Sequence, residues 1–124
     1  MTEEASESES AGPLRRDVVQ NLRDLYPDGD TLRELIDLFL SDSPPRLEHL
    51  LAAARAGDLD AVWQGAHALR GSCVVVGAYR MQTLLEGIEA AVRRGEPPAE
   101  ADLSALPDAY EDAAAALARE LGGA

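Results

Sequence analysis

Apolar residues recur at steps of three and four along most of this chain, and no segment alternates apolar and polar residues in steps of two. That period belongs to helices with one buried face and not to half-buried strands. Leu32, Leu35, Ile36, Phe39 and Leu40 form one stripe, which resumes with Leu47, Leu50, Leu51 and Ala54. Leu59, Val62, Ala66, Leu69, Cys73 and Val76 form a second, and Ala78, Met81, Leu85, Ile88 and Val92 a third. Leu106, Tyr110, Ala113, Leu117 and Leu121 complete the set, and a shorter stripe of Leu14, Val18, Leu22 and Leu25 precedes it. Aromatic residues are 4% of the chain, so the core must be built from Leu, Val, Ile and Ala, which favours packed helices. The expected fold is all-α: an antiparallel up-and-down four-helix bundle with a short N-terminal helix.

Local signals place the boundaries. Pro27 and Gly29 end the leading helix, and Thr31 to Glu34 has the form of a capping box for the next. Pro44 and Pro45 predict a kink there or a restart with Ser43 as cap, because a mid-helix proline removes a backbone bond. Gly57 is a stop, Asp58 the following cap, and Gly77 closes a helix over residues 58–76. Gly95 and Pro97-Pro98 end the fourth segment, after which Ser104 is the expected cap of the last helix, with Pro107 in its first turn.

With 124 residues the chain has room for one domain, expected over residues 14–124, behind an acidic and disordered tail at 1–13. The formal net charge of -12 disfavours binding to nucleic acid or to an anionic membrane. Cys73 is the only cysteine, which excludes an internal disulfide and a cysteine-cluster metal site. The acidic start lacks the pattern of a signal peptide and no apolar run is long enough to span a membrane, so the protein is expected to be cytoplasmic.

Of the two histidines, His49 borders a buried stripe with no motif around it and reads as a surface or boundary residue. His67 differs. On a wheel of about 100° per residue the apolar stripe of its helix centres about 120° away, so the imidazole points to the edge of the core or beyond it. Trp63 lies one turn before it, Gly71 one turn after, and Arg70 between it and the core. A mid-helix glycine costs about 1 kcal/mol relative to alanine. Close approach of another molecule to the bare backbone would account for that cost.

The string His67-Ala68-Leu69-Arg70-Gly71-Ser72, followed by Gly77-Ala78, resembles the signature of the histidine-containing phosphotransfer (HPt) domains of multistep two-component phosphorelays. The resemblance extends over most of residues 30–95, including Phe39-Leu40, Pro44 and the turn at 56–58. It implies the same four-helix bundle, a phosphoacceptor at His67, charge neutralisation by Arg70, and close approach of a partner at Gly71 and Ser72. Candidate docking residues are Trp63, Gln64, Val74, Leu40 and Pro44. Val75 stands where many members carry a polar residue, which would make the docking face more apolar.

The chemistry suits the residues. A neutral imidazole is a competent nucleophile, and phosphoryl transfer depends mainly on positioning and charge neutralisation, which two proteins can share. Counting the helical rise from Gly77, Glu86 and Glu89 on the next helix both fall near the level of His67, and either can accept a bond from Nδ1–H and free Nε2. The family often has Gln or Glu at the position matching Glu89, which favours Glu89 over Glu86.

No nucleotide-binding loop is present, so the chain is expected to be a phosphocarrier without kinase activity of its own. No cofactor or metal is expected, magnesium being supplied with the aspartate pocket of a partner. The partners implied are receiver domains of a hybrid histidine kinase and of a response regulator, met by a monomer. The rival reading is a helical adaptor that binds receivers or other signalling proteins without being phosphorylated. A third reading, an acidic mimic of nucleic acid, rests on charge alone.

Overall fold

The computed structural model describes residues 12–122. It consists of helices α1 (Arg16–Leu25), α2 (Asp30–Arg55), α3 (Leu59–Val76), α4 (Tyr79–Arg93) and α5 (Glu100–Gly122), with no strand among the described residues. Helices α2 to α5 close a four-helix bundle in which α3 packs on α2 and α4, and α5 on α4 and α2. The expected bundle is therefore the observed one. Most of the expected acidic tail, residues 1–11, lies outside the described residues.

The expected stripes meet in one core, where Ile36, Leu50, Leu69, Leu85, Ile88 and Leu106 are fully buried. Each such side chain contributes about 1.5–3 kcal/mol by leaving water. Buried Ala53, Ala66, Ala109 and Ala113 let the helices approach closely. Asp58 caps α3 as expected, its Oδ1 accepting from the Ala61 amide at 3.1 Å.

Gly77 ends α3 at φ +76°, a left-handed conformation that glycine adopts without penalty. A second constraint acts at the same residue. The Arg15 amide donates to the Gly77 carbonyl at 2.7 Å, and a Cβ on Gly77 would come within 2.9 Å of Val18 Cβ. The leading helix α1 is thus seated on the α3–α4 turn.

Three local expectations are corrected. Thr31 lies inside α2 and no capping box forms: Gly29 is the N-cap at φ +80°, and Asp28 Oδ1 receives the Asp30 amide. Ser104 lies inside α5, which starts at Glu100 directly behind the proline pair. The Ala99 carbonyl accepts the first amides, and Glu100 and Asp102 put negative charge at the positive end of the helix, so no serine cap is needed. Pro107 is consequently interior.

The third correction concerns the restart expected at Pro44 and Pro45: α2 runs through both prolines. Ser43 is no cap; it is 1% exposed in mid-helix. Pro44 has no N–H to offer the Leu40 carbonyl four residues earlier. In its place Tyr110 of α5 donates its hydroxyl to that carbonyl at 3.3 Å, while its ring packs on Phe39 at 5.8 Å between centroids. Tertiary packing supplies the bond that the local sequence removes. Tyr110→Phe keeps the ring and loses the hydroxyl; the expected result in urea denaturation is a loss of about 1 kcal/mol with an unchanged m-value.

Candidate functional site around His67

His67 sits in the middle of α3 with its side chain 53% exposed. Its Nδ1 lies 3.2 Å from Oε1 of Glu89 on α4. Glu89 is 2% exposed, in a core that is otherwise apolar apart from Ser43. Its other oxygen, Oε2, accepts a hydrogen bond from Arg70 Nε, and Arg93 Nη2 stands 3.8 Å from Oε1. The pairing with Glu89, through the hydrogen bond first and then the charge, raises the affinity of the Arg70 guanidinium for its proton. Arg70, expected to neutralise an incoming charge, is thus already engaged within the protein.

The two contacts of Nδ1 call for different tautomers. Arg70 Nη2 also approaches His67 Nδ1 to 3.2 Å, but Nδ1 cannot accept from a guanidinium and donate to a carboxylate at once. A carboxylate only accepts, so its contact with Nδ1 requires Nδ1–H. Nε2 then carries the lone pair, on the part of the ring that no described residue bonds.

Glu86, the alternative orienting residue, is exposed and accepts from Gln82 Nε2 at 3.0 Å. On the wheel of α4, Glu89 stands about 60° from the centre of the apolar stripe and Glu86 about 120°, which is the signal that separates them. Arg93 was not among the expected residues; its spacing of four from Glu89 was the available cue.

The indole of Trp63 lies parallel to the His67 ring, with centroids 4.8 Å apart and planes 10° apart. Expected as a docking residue, it covers one ring face without closing the site, since the imidazole remains half exposed. At Gly71 a Cβ would meet nothing within 4 Å. No internal contact calls for a glycine. Ser72 is half-buried, with Oγ donating to the Ala68 carbonyl at 3.4 Å.

Beside Gly71 the surface is apolar. Val74 and Val75 are each 47% exposed and Leu38 of α2 is 56% exposed. Leu38 and Val75 line a groove of about 270 Å³ between α2 and α3. Leu38 escaped the sequence reading because it lies off the apolar stripe of α2. Of the other expected docking residues, Gln64 is exposed and bonds Asp60 at 3.4 Å. Leu40 instead packs against the core on the side that receives Tyr110, and exposed Pro44 lies one turn beyond it. Those two therefore extend the α5 side of α2 and not the groove beside Gly71.

Other chemistry is not assembled. Burial pushes the Cys73 thiol up to about 12, so it holds no reactive thiolate at neutral pH. No group of three or more His, Cys, Asp or Glu residues suited to a metal ion occurs among the described residues, and none of their helices is long and apolar enough to cross a membrane. His49 is exposed.

The contact between Glu89 and His67 Nδ1 leads to a spectroscopic expectation. In the neutral imidazole of the wild type, nitrogen NMR shifts should report hydrogen on Nδ1 of His67. Glu89→Gln, which keeps a carbonyl acceptor, should retain that tautomer and Glu89→Ala should lose it.

Comparison with known proteins agrees with this geometry. The family model of the Hpt domain matches residues 34–119, well over half of the chain. Among solved structures, the crystal structure of histidine-containing phosphotransfer protein B from Pseudomonas aeruginosa PAO1 superposes with a TM-score of 0.81 at 28% identity, covering 92% of this chain and 98% of that one. No curated protein is significantly similar in sequence. The chain belongs to the Hpt family, the histidine phosphotransfer domains of two-component signalling.

Proposed function

We propose that this protein is a phosphocarrier that accepts a phosphoryl group on Nε2 of His67 from the phospho-aspartate of one receiver domain and passes it to the aspartate of another. The observation that carries the reading is the half-exposed imidazole whose Nδ1 faces a buried carboxylate, next to a glycine with empty space above it. The bond to Glu89 leaves the Nε2 lone pair available to the phosphorus. Arg70 and Arg93 flank that carboxylate and place positive charge beside the transferring group. The remaining apparatus, including magnesium, comes with the receiver, and the carrier has no kinase activity of its own.

The docking face in this reading runs from Trp63 and Gln64 past His67 and Gly71 to Val74, Val75 and Leu38. An apolar centre with charge at its rim is the usual build of a transient interface. The carrier acts as a monomer in the cytoplasm, where its receivers are.

The direct test is incubation with a phosphorylated receiver. Wild type should take up an acid-labile, alkali-stable label and His67→Gln none; equal labelling of the two, or none of either, rejects the carrier and leaves the adaptor. Gly71 separates docking from folding. Gly71→Ala should stabilise the protein by roughly 0.5–1 kcal/mol in thermal unfolding, because a helical glycine is replaced in open space. Gly71→Leu should keep the helical signal while slowing transfer from a receiver about tenfold or more.

A further inference from the structure

We infer that Trp63 is a positioning residue that sets the stability of the phosphorylated state, a role that rests on His67 being the phosphoacceptor. Three contacts define how the imidazole is held. Its Nδ1 edge meets Glu89 and Arg70 Nη2, each at 3.2 Å, and one face meets the indole, while the side chain is 53% exposed. An edge bond alone leaves the ring free to tilt about the line to its partner. Stacking at 10° between planes removes that freedom and directs Nε2 outward. Trp63 and His67 are four residues apart on α3, so the stack is built within one helix.

The electronic consequence follows from the transfer step. The Nε2 lone pair forms the N–P bond, and the P–O bond to the aspartyl carboxylate breaks with its electron pair on the departing oxygen. Nδ1 keeps its hydrogen against Glu89, so no proton moves. The ring, now substituted at both nitrogens, carries a positive charge that the neutral ring lacked. An aromatic face against a cation attracts it, and indole does so best of the aromatic side chains. Glu89 stabilises the same charge from the edge. Trp63 therefore favours phosphohistidine over free histidine and shifts the exchange toward the carrier. A cation–π contact of this kind corresponds to roughly 2- to 30-fold in an equilibrium constant.

Trp63 is the only tryptophan in the chain, so its emission reports on the phosphoacceptor alone. The probe is phosphoramidate, a small donor that phosphorylates imidazole without a docked receiver. Labelling of wild type should change Trp63 emission, and the same treatment of His67→Gln should not. With a phosphorylated receiver, the equilibrium constant for transfer to the carrier should fall about 2- to 30-fold in Trp63→Leu and be largely restored in Trp63→Phe. A residue that only docks the receiver would change the rate of approach and leave both the equilibrium and the phosphoramidate signal intact. If His67 is labelled but emission is unchanged, or if Trp63→Leu and Trp63→Phe both reach the wild-type equilibrium, the inference is wrong while the carrier stands. If His67 takes no label from either donor, both fall together. Circular dichroism of the two variants confirms that the bundle is intact.

Discussion

A carboxylate buried in an apolar core is the constraint around which this molecule is arranged. Removing an ion of that size from water costs several kcal/mol, and only close partners of opposite charge or good donors offset it. Glu89 finds Arg70 on one oxygen, His67 and Arg93 on the other. Two of those partners come from α3 and one from its own helix. The charge is thus satisfied only when α3 and α4 hold one relative height and rotation. The turn that sets this height centres on Gly77, whose backbone is in turn covered by α1. The half-exposed imidazole is held by the same interaction that makes the interior electrostatically tolerable.

The remainder of the bundle supports a sharp contrast between a dry interior and one open face. Small buried side chains bring the helices close, and the proline pair of α2 is accommodated because Tyr110 reaches across from α5 to a carbonyl left without its helical partner. On the open face, Gly71 leaves backbone bare and Val74, Val75 and Leu38 stay in water although each has apolar surface to lose. Stability alone favours a larger residue at position 71 and polar residues at the other three. The sequence departs from both preferences on the surface that carries the imidazole, the face that the proposed docking would use.

Much of this was legible beforehand, for local reasons. A period near 3.6 is a property of neighbouring residues, so the four long stripes, the outward azimuth of His67 and the exposure of Gly71 could be read without knowing what packed against them. Asp58 and Gly77 were equally clear, because a cap and a left-handed stop depend on a few adjacent backbone groups. The misplacements arose where local preference lost to something distant. Thr31 and Ser104 are good caps in isolation, yet the chain turned into helix earlier at both ends. The restart expected at Ser43 does not occur: α2 runs through Pro44, and a tyrosine 70 residues beyond Leu40 bonds the carbonyl the proline leaves free.

The amino-acid order by itself thus determined the apolar stripes and the histidine with its arginine and glycine neighbours, since each is set within a few turns of one helix. Tertiary structure alone decided that Arg70 pairs with the Glu89 carboxylate, and that Leu38 rather than Leu40 borders the open face. Those outcomes depend on how far one helix is rotated and shifted against the next. That offset is fixed by the packing of whole side-chain layers, and no single segment contains it.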